Sequence, residues 1–149
     1  MKFASVVLDV DSTLCGVEGI DWLAQRRGPE VAGRIRELTD RAMNGEMPLD
    51  SVYGERLAAI RPTRVDLDEL GQVYRRTIAE GAAETIARWA RAGVRVVLVS
   101  GGIRQAIAPL ARELGVPVYA VELRFDDAGN YVDYDRASPL ATQSGKLDI

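Results

Sequence analysis

Asp9 and Asp11 stand two residues apart in the stretch VVLDVDSTLC. At the two-residue period of a strand their carboxylates begin on one face, roughly 7 Å apart if the backbone stays extended, near enough to share a metal ion or a substrate. Two such charges need neutralising, and Mg²⁺ suits the task as a hard cation that takes oxygen ligands. The same D-x-D is also the pattern of an Asp turn in which Thr13 caps the next segment. A second stretch, VLVSGG, sets Ser100, Gly101 and Gly102 between an apolar run and a helical pattern. At the carboxyl edge of a parallel sheet, free backbone N–H groups and a helix N-terminus favour phosphate. A tight strand-to-helix turn calls for the same small residues. Lys146, in QSGKLDI, is one of two lysines beside 17 arginines. It is either a point charge for a phosphate or a solvated surface lysine. Leu140 stands where a Walker A loop would need its first glycine, so Gly145-Lys146 is not such a loop.

Several chemistries are excluded. There is no histidine and only one cysteine, which rules out a Ser-His-Asp triad, a Cys-His pair and every zinc site that needs an imidazole. Cys15 has no partner for an internal disulfide and reads as a reduced, partly buried small hydrophobe. Catalysis must therefore use carboxylates, hydroxyls, Lys, Arg or a hard metal ion. The net charge of −3 comes from interspersed acids and bases without a basic stripe, which argues against nucleic acid or an anionic membrane as partner. The first apolar run is broken by Asp9 and is too short for a signal peptide or a membrane span, so the expected setting is cytoplasmic.

The 149 residues suffice for one core domain with a small insertion. Residues 3–10 predict a strand buried on both faces, as in parallel sheets, and 95–99 and 116–123 predict two more. Residues 103–114 carry apolar side chains at helical spacing up to Gly115, which completes a right-handed strand-helix-strand crossover. Pro109 should bend that helix. The roughly 80 residues between the first two strands are too many for one connection. Their apolar stripes (Val31, Ile35 and Leu38; Val52, Leu57 and Ile60; Leu67, Leu70, Val73 and Ile78) predict an inserted helical bundle, with Pro29 and Pro48 in first turns. A further helix over 82–92 should close at Gly93, and RFDDAGNYVDYD reads as a hairpin.

Taken together and in this order, these residues resemble the haloacid dehalogenase superfamily of phosphohydrolases. Its first motif matches DVDST at 9–13, its second SGG at 100–102 and its third Lys146. The resemblance implies an α/β fold, with a Rossmann-type parallel core from 1–15 and 80–149, a helical cap at 16–79 and a β-hairpin. It is strongest, in VEGIDWLA and RAMNGEMPLDSVYGERLAAI, to members that hydrolyse O-phosphoserine with Mg²⁺ in the last step of serine biosynthesis. It implies that Asp9 attacks phosphorus to form an aspartyl-phosphate, that Asp11 serves as general acid and then base, and that both hold the metal. Ser100, Gly101 and Lys146 would bind the phosphoryl oxygens, with Thr13 orienting the loop. Glu18 would meet the substrate ammonium and Arg56 its carboxylate, beside an apolar wall from Met43. Leu49 occupies a place where an aromatic residue is often found. A carboxylate and a guanidinium do complement an amino acid, though Glu18 also suits a helix first turn and Arg56 a solvated face.

The family's acidic Gly-Asp-Gly-x-x-Asp motif has no counterpart here, and the resemblance puts it on a strand beside the first. The expectation is thus a core lacking its C-terminal part, completed if at all by strand swapping or homo-oligomerisation through the exposed first-strand edge, with little phosphatase activity of its own. A non-catalytic module for phosphoserine or serine, or a phosphatase for another small phosphomonoester, are the alternatives.

Overall fold

The computed structural model describes residues 3–142, so Lys146 lies outside the described residues. Three parallel strands, β1 (Ser5–Leu8), β2 (Arg95–Ile103) and β3 (Val118–Val121), form a sheet in the order β1-β2-β3. Val6 lies opposite Val96 and Leu8 opposite Leu98, while Leu98 pairs on its other side with Val118. β2 is the central strand, and its Val96, Leu98 and Val99 are buried, as an apolar run covered on both faces requires. β1 departs from the expected double burial. Among the described residues it pairs only with β2, and Val7 is 63% exposed. An edge strand leaves one row of backbone N–H and C=O groups unpaired, and the sheet face that carries Ser5 and Val7 is open as well.

The run at 116–123 divides. Its first part is β3, and its end turns away as β4 (Leu123–Phe125), which pairs antiparallel with β5 (Tyr131–Tyr134) in the expected hairpin. α6 (Arg104–Leu114) makes the crossover from β2 to β3, contains Pro109 and ends at Gly115, whose φ of +67° favours glycine. α5 (Ala82–Arg91) precedes β2.

Between β1 and α5 lie four helices, α1 (Gly19–Arg26), α2 (Pro29–Met43), α3 (Leu49–Ile60) and α4 (Arg64–Arg76). Pro29 opens α2, while Pro48 sits one residue outside α3, as its cap. α4 holds the insert to the core. Its Leu67, Leu70, Val73 and Tyr74 are buried, and so are Ala106, Ile107 and Leu110 of α6, against which it packs. A Cβ on Gly71 would lie 3.1 Å from the Ala106 carbonyl oxygen, so glycine lets the two helices approach. Each large apolar side chain fully buried here contributes about 1.5–3 kcal/mol. The start of α4 is fixed by a capping box in which the Thr63 hydroxyl accepts from the Asp66 N–H and the Asp66 carboxylate accepts from the Thr63 N–H. Arg27 pairs with Asp66 and donates to the carbonyls of Ile60 and Arg61, tying the end of α1 to the α3–α4 connection.

Candidate active site

The acid-bearing loop begins where β1 stops. Val10, fully buried, anchors it in the core, and the Val10 carbonyl accepts from the N–H groups of Thr13 and Cys15 at 3.2 and 3.0 Å. The Ser12 N–H donates to Val17, and the Gly16 N–H to Thr77 of the α4–α5 connection. These bonds hold Ser12 at φ +52°, a left-handed conformation that a residue with a Cβ adopts at some cost and keeps only when its surroundings enforce it.

Asp11 is the hub. Its Oδ1 accepts from the Gly19 N–H at 2.8 Å and the Tyr74 hydroxyl at 2.6 Å, and its Oδ2 accepts from the Ser100 hydroxyl at 3.0 Å. One carboxylate thereby joins the start of α1, the middle of α4 and the end of β2. Ser100 is fully buried, and its oxygen also accepts from the Gly102 N–H at 2.9 Å. Burial first, and then the charge of Asp11, push the Tyr74 phenol far above its ordinary range, so it stays a donor. Two glycines leave space for this cluster. A Cβ on Gly102 would lie 2.5 Å from Asp11 Oδ2, and one on Gly19 would collide with the Tyr74 hydroxyl. Tyr74 and Gly19 were not anticipated from the sequence. The available signal was a tyrosine on the buried stripe of α4, since a buried phenol usually finds a hydrogen-bond partner.

The serine-glycine stretch differs from the turn expected of it. β2 continues through Ser100, Gly101 and Gly102 to Ile103, with a register shift against β3 between Val99 and Ile103, and α6 starts directly at Arg104. Glycines accommodate such an irregularity inside a strand. Asp9 is half-buried after β1, and its Oδ1 accepts from the Val10 N–H at 2.9 Å. Thr13 is exposed and lines an open apolar groove of about 290 Å³ with Leu8, Ile86 and Trp89, between β1 and α5. Cys15 is buried and free. Burial, and then Asp11, push its thiol up to about 12, so it remains neutral.

Glu18 is exposed just ahead of α1 rather than within its first turn. Desolvation raises its carboxyl, a hydrogen bond with Ser12 offsets part of that, and the charges of Asp11, Asp21 and Asp9 raise it further. Arg56, on α3, is half-buried, so it is not the solvated residue a helix face allows. Burial pulls its guanidinium down, against the opposing influence of Tyr53, Asp21 and Glu18. Glu18 and Arg56 thus share one electrostatic neighbourhood, which reaches Asp11 through Glu18. Met43 closes α2 at 74% exposed.

For Mg²⁺ the donor chemistry is of the right kind, but the described residues include no group of three or more His, Cys, Asp or Glu side chains that could hold a metal. Both carboxylate oxygens of Asp11 already accept hydrogen bonds. Near-octahedral coordination needs more oxygens than Asp9 and the Asp11 carbonyl offer, so the described residues do not make up a Mg²⁺ site by themselves.

A parallel sheet, a helical insert after its edge strand and an acidic loop at the carboxyl ends of its strands define an α/β protein built around a carboxylate cluster. The chain belongs to the haloacid dehalogenase-like hydrolase family, whose model matches residues 6–148. It is 37% identical over 145 residues to the phosphoserine phosphatases of rat and human, covering 95% of this chain and 64% of each relative. The chain thus spans just under two thirds of those relatives' length. Among solved structures it is similar to a phospho-aspartyl intermediate analogue of phosphoserine phosphatase, at a TM-score of 0.79 and 26% identity over 99% of this chain and 69% of that one. The fold also matches a phosphoserine phosphohydrolase-like protein from Francisella tularensis, at a TM-score of 0.80 and 23% identity over 93% of this chain and 68% of that one.

Proposed function

We propose that this chain binds O-phosphoserine and directs its hydrolysis to serine and phosphate, with Asp9 as nucleophile and Asp11 as acid and base. The observation that carries the reading is the fixed Asp11 carboxylate, held by Gly19, Tyr74 and Ser100 two residues from Asp9 and beside the Glu18–Arg56 neighbourhood. The names of the relatives and of the substrate-bound phosphoserine phosphatase at 26% identity support the same substrate.

An Asp9 oxygen forms a bond to phosphorus as the bond from phosphorus to the serine oxygen breaks, and Asp11 gives that leaving oxygen its proton. Asp11 then takes a proton from water as the water attacks the aspartyl-phosphate, which returns Asp9 and frees phosphate. The Ser100 hydroxyl, the Gly101 N–H and Lys146 bind the phosphoryl oxygens, and Thr13 orients the loop. Glu18 pairs with the ammonium and Arg56 with the carboxylate, while Met43 supplies apolar surface. Residues 16–79 act as a cap over a core of 1–15 and 80–149, in the cytoplasm. Mg²⁺ belongs to this reading only with oxygen ligands beyond those of Asp9 and the Asp11 carbonyl.

The incomplete oxygen set for Mg²⁺ among the described residues favours one second reading, a module that binds phosphoserine without turning it over. Calorimetry with O-phosphoserine, alongside phosphate release with Mg²⁺ present, tests both. Binding with release that Asp9→Asn abolishes supports the hydrolase, binding without release supports the module, and no binding refutes both.

A further inference from the structure

α3 buries two polar atoms for which the described residues provide no hydrogen-bond partner, the Tyr53 hydroxyl and Arg56 Nε. They are three residues apart, which places them on one face of the helix. The Arg56 guanidinium carbon lies 5.9 Å from the centre of the Tyr53 ring. The Tyr53 ring also packs against Tyr134 of the hairpin, with centroids 5.3 Å apart and planes tilted by 56°. The ring is therefore held in place, and Tyr53 is only 5% exposed.

Leaving a buried donor unpaired costs about 1–3 kcal/mol, and phenylalanine would fill the same space without that cost. Two unpaired donors on one helix face call for acceptors that the described residues do not supply. The charges around them indicate where it would come from, since Arg56 feels Glu18 and Asp21 while Tyr53 feels Asp11. Both thus border the acidic neighbourhood proposed to receive the substrate. A phenol O–H and an Nε–H each offer one proton, and a carboxylate presents two oxygens able to accept them separately.

We infer that Tyr53 is a specificity-determining residue, whose hydroxyl and the neighbouring Arg56 Nε each take one oxygen of a substrate carboxylate. The inference rests on the reading above in which Arg56 meets that carboxylate, and adds the phenol as its second donor. Tyr53 thereby selects phosphomonoesters that carry a carboxylate over those that carry only an ammonium. The hydroxyl remains unpaired until the ligand arrives.

The test compares O-phosphoserine with O-phosphoethanolamine, which keeps the phosphate and the ammonium but lacks the carboxylate. Binding of both is measured by calorimetry to the whole chain and to its Tyr53→Phe and Arg56→Ala variants. The unaltered chain prefers O-phosphoserine. Tyr53→Phe weakens O-phosphoserine roughly tenfold or more, the scale of a hydrogen bond to a charged group, and leaves O-phosphoethanolamine unchanged. Its melting temperature stays at or above that of the unaltered chain, because the unliganded protein loses no bond. If Arg56→Ala erases the preference and Tyr53→Phe retains it in full, the inference falls and the carboxylate reading stands. Equal weakening of both ligands by Tyr53→Phe also overturns the inference, since the hydroxyl would then serve the phosphate or the packing. If Arg56→Ala retains the preference, or neither ligand binds, the reading falls and the inference with it.

Discussion

The Tyr74 hydroxyl donates to Asp11 Oδ1 at 2.6 Å, so a helix of the insert grips a carboxylate of the loop that follows β1. Tyr74 is fully buried, and its ring fills core space that phenylalanine would fill equally well. Tyr74→Phe should therefore remove the bond without opening a cavity. The expected loss is about 1–2 kcal/mol of stability, because Asp11 keeps Gly19 and Ser100 as donors. Urea unfolding checks this, and an unchanged midpoint would mean that the bond contributes nothing in solution.

Gly102 and Gly33 should respond oppositely to alanine. A Cβ on Gly102 meets Asp11 Oδ2 at 2.5 Å and Ser100 Oγ and Ile107 Cδ1 at 3.1 Å, so Gly102→Ala must displace the Asp11–Ser100 pair. It should destabilise by about 1–3 kcal/mol. Gly33, inside α2, has nothing within 4 Å of its would-be Cβ. There alanine should stabilise by about 0.5–1 kcal/mol through helix propensity. Thermal melts of the two variants decide the matter by the sign of their shifts.

Asp66 gives the fold an acid limit. Burial alone would raise its carboxyl, but the hydrogen bonds from Arg27 and from the Thr63 N–H and hydroxyl outweigh it and hold the group below its ordinary value. A depressed acid contributes stability that is present above its unfolded pKa, about 4, and is lost as pH falls through its folded value. Asp66→Asn should remove part of that dependence. Unfolding free energy measured from pH 6 down to 2 should therefore fall less steeply for the variant than for the unaltered chain, and parallel curves would exclude Asp66 as a source.

Patterns local in sequence were legible, and pairings across the insert were not. The apolar run at 95–99 and the helical spacing up to Gly115 follow from side-chain period, which marks β2 and α6 before any tertiary contact forms. Asp9, Asp11 and Ser100 stood out because acids and a hydroxyl beside glycines are unusual at the end of an apolar run. Tyr74 did not, because its role depends on α4 crossing α6 and reaching Asp11, 63 residues earlier. The division of 116–123 into β3 and β4 was equally hidden. The Gln105 side chain donates to the Leu123 carbonyl and accepts from the Leu123 N–H, fixing the place where the chain leaves the sheet, and nothing in an apolar run records that partner.

Ser100 offers one proton, and in this structure Asp11 Oδ2 receives it, while the serine oxygen accepts from the Gly102 N–H. Ser100→Ala would leave that N–H without its acceptor in a fully buried position, at a cost of about 1–3 kcal/mol. The pair with Asp11 can be isolated from this backbone effect by a double-mutant cycle. If the two side chains interact, Asp11→Ala and Ser100→Ala combined should cost less than the sum of the single changes by about 0.5 kcal/mol or more. Binding adds a second comparison. A phosphoryl oxygen must draw the Ser100 proton away from Asp11, so ligand gains a bond and the acid loses one at the same step. In an Asp11→Ala background that competition is gone, and Ser100→Ala should then weaken O-phosphoserine more than it does when Asp11 is present. Calorimetry on the four proteins gives the answer, and identical losses in both backgrounds would show that the hydroxyl does not change partners.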